Sequence, residues 1–253
     1  FMDEPSSDQF FMMKGWGDAP HISPEKSERL LASYPAHQRD MRSKGTPMLG
    51  HGRIYDLSEE FLTCDAFAIP KHFYVINGMD FGWDHPQAHV QLVWDRDSDI
   101  FYVTKAQKMR KTSPNEAWGT VKCWAEGIPT SWPLDGLQTE KGSGKQQMQY
   151  YSEAGFEMLD ERATWEDGSN GVEAGLYEIR DLMSKGKFKI FAGLRDLLDE
   201  VLQHHRDEKG KIVKTMDDLL DAIRYAYMMR REAVPFGDIL SDKDTTINFN
   251  SEW

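Results

Sequence analysis

The chain has 253 residues, 40% of them apolar and 12% aromatic, with 30 Lys and Arg against 42 Asp and Glu for a formal charge of −12. That is globular composition with room for one sizeable domain and appendages; the negative balance excludes a surface that wraps nucleic acid throughout, because phosphate contacts reward clustered cations, but it leaves room for a local basic groove. No apolar run approaches the ~20 residues of a membrane-spanning helix, no signal pattern opens the chain, and Cys64 and Cys123 are too few and too far apart for a disulfide framework or a structural zinc site, so a soluble chain in a reducing cytosol is expected.

Residues 1–70 carry Pro5, Pro20, Pro24, Pro35, Pro47 and Pro70, a density that interrupts regular elements. One short helix is expected, opened by Ser23-Pro24-Glu25, given an apolar side by Leu30, Leu31 and Tyr34, and closed by Pro35. The segment reads as a connector, and Phe1 as a cut through a larger protein. From residue 73 the pattern changes. FYVINGMDFGWD, residues 73–84, is a buried strand ending on Asp80, and runs at 90–94 and 100–104 complete a three-strand antiparallel meander. Ser113-Pro114-Asn115-Glu116 is a capping box that opens a helix ending at Gly127; residues 128–134, weakened by Pro129 and Pro133, are a strand running into Asp135.

The loop Lys141-Gly142-Ser143-Gly144-Lys145 lacks the leading glycine and strand of a phosphate loop, so no nucleotide site is expected there. Helices follow at 146–154, after an Asn170 cap with Val172, Leu176, Ile179 and Met183 on one face, and at 194–205; short strands are expected at 156–159 and 188–191. The last strong helix, from about 216 to 231, places Asp217, Asp218 and Asp221 within an arc of about 100° opposite Leu219, Ile223, Ala226 and Tyr227. Residues 232–253 show no periodicity and read as a mobile tail. Three cationic clusters, at 105–111, 185–189 and 209–214, read as solvated faces.

A meander followed by helix, strand, helix, strand and helix predicts a mixed α/β sheet in which the fourth strand lies parallel to the first and beside it, so that Asp80 and Asp135 stand on adjacent strand tips with the Asp217 to Asp221 helix crossing nearby. Such an oxygen-rich convergence suits Mg²⁺ or Mn²⁺, and two such ions ~4 Å apart activate water and stabilise the leaving oxygen of a phosphodiester. Without metal, mutual repulsion should raise the proton affinity of some of these carboxylates. Each acid also has a plainer reading: Asp80 as a turn residue, Asp217 and Asp218 as first-turn acids favoured by the helix dipole, with Asp221 too far along for that explanation.

INGMDFG around Asp80, WPLDG around Asp135, and MDDLLDAIRYAYM at 216–228 together resemble the nuclease domain of tailed-phage terminase large subunits, a ribonuclease H-like fold. The stretch APHISPEKSERLLASYPAHQRDMRSKGTPMLGHGRIYDL at 19–57 is similar to the segment joining the packaging motor to that nuclease. The resemblance implies a connector or end of the motor region at 1–70, the nuclease at 71–231 and a flexible tail at 232–253. It implies Asp80 bridging two Mg²⁺ or Mn²⁺ ions, Asp135 holding one, and Asp217, Asp218 and Asp221 completing the shells. It further implies endonucleolytic cutting of double-stranded DNA with little sequence preference when a capsid is full, a portal ring and a small terminase subunit as partners, no membrane, and work in the host cell cytoplasm. No motor ATPase motif is present. Competing readings are a non-catalytic docking module and a glycoside hydrolase using paired carboxylates with tryptophans for sugar stacking. Among single residues, His85 and His89 mimic a zinc pair but flank Pro86 in a loop, Lys145 is a candidate phosphate contact or a plain loop lysine, and Trp83 either stacks on a nucleobase or covers the site.

Overall fold

The computed structural model describes residues 52–240, apart from 208 and 216, together with 23 and 26. The expected helix beginning at Ser23 and the stretch 241–253 therefore lie outside the described residues.

Seven strands form one mixed sheet. The meander is β2 (Tyr74–Asp80), β3 (Gln87–Asp95) and β4 (Ile100–Met109), antiparallel throughout. β5 (Thr130–Ser131) pairs with β2 in parallel, Asn77 opposite Thr130 and Gly78 opposite Ser131. The crossover between them is α2 (Pro114–Ala125), which opens on the Ser113 and Glu116 capping box and ends before Gly127, at φ +77°. Beyond β4 lies β6 (Phe188–Phe191), parallel to β4 and to β1 (Thr63–Cys64), which follows the short helix α1 (Glu59–Leu62). The other long helices are α3 (Gln147–Ala154), α4 (Val172–Ser184), α5 (Arg195–Gln203) and α6 (Asp218–Met228).

Period-two alternation along β2 decides which way each side chain faces. Ile76 packs in the large core with Leu219 and Ile223 of α6, while Met79 joins a second cluster with Ala117, Val121 and Trp132 on the opposite side. Gly78 lies between Ile76 and Asp80 on the α6 face, and a Cβ there would stand 2.1 Å from the Ala222 carbonyl oxygen. Strand and helix backbones therefore meet directly, and only glycine permits it. Asp80, two residues on, points to the side on which α6 lies.

Several boundaries differ from the sequence expectations, each for a tertiary reason. Residues 156–159 make no strand of their own, only a bridge from Met158 to Thr130, because Pro129 and Pro133 leave β5 two residues long. Gly171, not Asn170, is the N-cap of α4, with no side-chain cap bond. The described part of the expected connector is integral: Ile54, Tyr55 and Leu62 are buried in the large core and β1 extends the sheet. The described residues of the expected tail pack on the sheet, since β7 (Val234–Pro235) pairs with β2 and Ile239 is buried beside Val75 and Ile128.

Candidate metal centre at the tip of the sheet

Asp80 ends β2 and Asp135 sits on the 3₁₀ turn Leu134–Leu137 that leaves β5. The turn is pinned by Gly136, where a Cβ would fall 2.4 Å from the Trp132 ring and 2.9 Å from Phe81, and by the Trp132 indole donating to the Leu159 carbonyl at 2.7 Å. α6 is held against the same strands by the Ser131 hydroxyl, which donates to the Tyr225 carbonyl at 2.8 Å. Its first turn brings Asp218 and Asp221. The helix begins at Asp218, later than the sequence pattern suggests, so Asp221 also falls in the first turn and the dipole argument covers it after all.

Asp80 records the convergence. Its carboxyl is pushed well above the usual carboxylate range, first by burial, then by the charges of Asp221 and Asp218; Arg224 pulls the other way, and Asp135 adds a further upward push. Asp217 is raised for the same reasons, burial first and then Asp221 and Asp218. The structure thus brings Asp135, Asp218 and Asp221 within electrostatic reach of Asp80, and Asp217 within reach of Asp218 and Asp221. Asp221 is oriented by the buried Arg224, whose Nε and Nη2 both donate to its Oδ1, at 3.2 and 2.8 Å. Neither donation uses Oδ2.

Sequence reasoning missed the support beneath these acids. Glu200 of α5 is fully buried; its Oε1 accepts from Lys108 Nζ at 2.6 Å and its Oε2 accepts from the backbone N–H groups of Leu219 and Leu220 at 2.9 and 3.3 Å. Glu200 therefore does for α6 what an N-cap side chain does, while Asp217, at the N-cap position, makes no side-chain cap bond. Burial drives the Glu200 carboxyl up to about 7 in spite of Lys108 and the two amides. One signal was present: Glu200 shares a helical face with Leu197 and Val201, where an acid is out of place. Lys108 belonged to a cluster that reads as solvated, and its ion pair removes it from that class.

The two histidines part ways. His85 is exposed, with Nδ1 3.6 Å from Asp218 Oδ1, whereas His89 is buried in the second core, hydrogen-bonded to Gln87 at 3.1 Å and pushed down to about 3 by burial, so the pair makes no zinc site. Lys145 is paired with Glu153 at 2.6 Å. Trp83 is 57% exposed and is not core. At the far end of the sheet, His72, Asp95 and Asp97 bring one ligand atom each within 4.8 Å of the others, the one such set among the described residues.

The model of the terminase RNase H-like domain family matches residues 77–230, a span holding all five candidate aspartates. The chain belongs to that family. The terminase large subunit of Salmonella phage P22 is 49% identical over 247 residues, 98% of this chain and 50% of that protein, so the chain spans about half the length of this curated relative. The solved structure of the P22 large terminase nuclease domain superposes with a TM-score of 0.71 at 53% identity, over 75% of this chain and 98% of that one. A large terminase from a thermophilic bacteriophage, 18% identical over 85% of this chain and 54% of its own, gives a TM-score of 0.55 and shares the fold. The ribonuclease H-like fold expected from the sequence is borne out.

Proposed function

We propose that this terminase domain is a divalent-cation-dependent endonuclease that cuts double-stranded DNA with little sequence preference to end a round of viral genome packaging. The observation that carries the reading is the burdened Asp80: carboxylates gathered closely enough to raise it form an oxygen-donor set that a hard divalent cation would relieve. Membership of the terminase family and likeness to a domain described as a nuclease in the P22 protein support it.

In this reading Asp80 and Asp135, with Asp217, Asp218 and Asp221 completing the shells, would hold two Mg²⁺ or Mn²⁺ ions. When bound, such ions lower the pKa of water and stabilise charge at the phosphodiester. The chain's own part is positional. Arg224 fixes Asp221 through Oδ1, Glu200 anchors the first turn of α6, and the contact at Gly78 sets the distance from helix to strand. By the same reading the packaging ATPase lies in the remainder of a longer protein, the portal ring and small subunit are partners, and the host cytoplasm is the site of action. Among the described residues no helix is long and apolar enough to cross a membrane.

Incubating supercoiled plasmid with the purified chain and Mn²⁺, Mg²⁺, Ca²⁺ or EDTA, beside Asp80→Asn, tests the proposal. Nicking and linearisation are expected with Mn²⁺ or Mg²⁺ alone and are lost in the variant. Cutting that survives EDTA, or that Asp80→Asn leaves intact, overturns it.

A further inference from the structure

Beside the acidic tip lies an open cavity of about 440 Å³, within the range of small-molecule pockets. Asp135 and His85 line it, and His85 also reaches Asp218, so cavity and acid cluster are continuous. Trp83, Tyr150, Gln138 and Gln147 also line it, and the backbones of the two glutamines are tied together by the Gln147 N–H donating to the Gln138 carbonyl at 2.9 Å. Glu140 also lines it and accepts a hydrogen bond from the Tyr150 hydroxyl, which fixes that ring.

The chemistry of this lining selects one kind of guest. Two aromatic residues and two glutamines suit a flat heterocycle with donors and acceptors on its edge. A second observation agrees. Of six large apolar side chains left exposed among the described residues, three sit on the two loops that carry the acids: Trp83 three positions after Asp80, and Leu134 and Leu137 flanking Asp135.

We infer that this cavity is a nucleobase subsite, taking one base turned out of the duplex from the nucleotide next to the bond being cut. The inference rests on the nuclease reading above and adds to it that cutting requires a locally opened base pair. Side-chain amides offer both a donor and an acceptor, so any base is admitted. Stacking on an aromatic face offsets part of the cost of unpairing.

The test uses two short duplexes that differ by one central mismatched pair, cleaved by the whole chain with Mn²⁺. Beside the mismatch the wild-type protein should cut about 10-fold faster than at the same position of the paired duplex, because the opening cost is already met. Trp83→Ala should bring that ratio towards one, and Trp83→Phe should keep it; the exposed position makes both variants safe for folding. A wild-type ratio of one, or a ratio untouched by Trp83→Ala, overturns the subsite while leaving the nuclease reading standing. If neither duplex nor plasmid is cut with any metal, the nuclease reading fails. The subsite is then judged by 2-aminopurine placed in the mismatch with Ca²⁺ present: quenching that depends on Trp83 supports it, and unchanged fluorescence overturns it.

Discussion

The sheet carries acids at both ends, and the two groups differ in what their charges meet. His72, Asp95 and Asp97 have the tighter spacing, yet Asp95 accepts hydrogen bonds from the Ser98 hydroxyl and the Asp97 and Ser98 amides; its slight burial pushes its carboxyl up, and these bonds outweigh that and hold it below the usual range. At the other end Asp80 is raised by burial and by its neighbours' charges. Close spacing goes with a solvated turn in the first case, while in the second it is electrostatic frustration that supports the proposed cation site. The sign of the carboxyl's shift separates the two better than distance does.

Substitution offers the strongest way to break this contrast. Asp80→Asn should lower Mn²⁺-dependent cutting by about 10³-fold or more, the size of roughly 4 kcal/mol of lost stabilisation, while Asp97→Asn changes the rate less than about twofold. Equal losses in plasmid cleavage would erase the distinction. The contact that places α6 over β2 comes next: Gly78→Ala should destabilise the fold by about 3 kcal/mol in urea unfolding, at the upper end of overpacking costs, because backbone and not a flexible side chain stands in the way. Saturating metal sharpens the comparison from the other direction. At a hundredfold excess over its dissociation constant, Mg²⁺ or Mn²⁺ should add about 2.7 kcal/mol to the wild type and to Asp97→Asn in thermal melts, and EDTA should remove it; Asp80→Asn should gain little.

A smaller effect concerns pH. The folded chain keeps His89 neutral down to about 3, so between its ordinary value of 6.5 and that point the unfolded chain holds a proton the folded one refuses, and stability falls as pH falls. Glu200, raised to about 7, works in the opposite sense: the fold holds its proton, so stability rises as pH drops through 7. His89→Gln should therefore lose about 2 kcal/mol less than the wild type on going from pH 7.5 to pH 5, from the 1.5 pH units of His89's window crossed by then. Identical pH slopes in the two proteins would refute that assignment.

Much of the scaffold was legible from residues whose partners are near in sequence or fixed by a repeat. The capping box at Ser113, the alternation through Tyr74–Asp80 and the crossover rule together place Asp135 beside Asp80. What escaped depends on distant partners. Glu200 shares a face with apolar residues, but its partner, the start of α6, lies in another helix, and no near neighbour in the sequence marks the burial of Arg224 beside Asp221. Val234–Pro235 and the packing of Ile239 leave no pattern in two or three residues, because pairing with β2, not propensity, holds them.

The acids of the tip are scattered along the chain: Asp80 and Asp221 stand 141 positions apart, with Asp135 between them. A chain emerging from the ribosome therefore makes its first donor long before its last, and the intervening loops must close before the donors meet. In the proposed enzyme, synthesis order thus acts as a safeguard, since a nascent or truncated chain ending before α6 has no complete centre with which to damage the DNA around it.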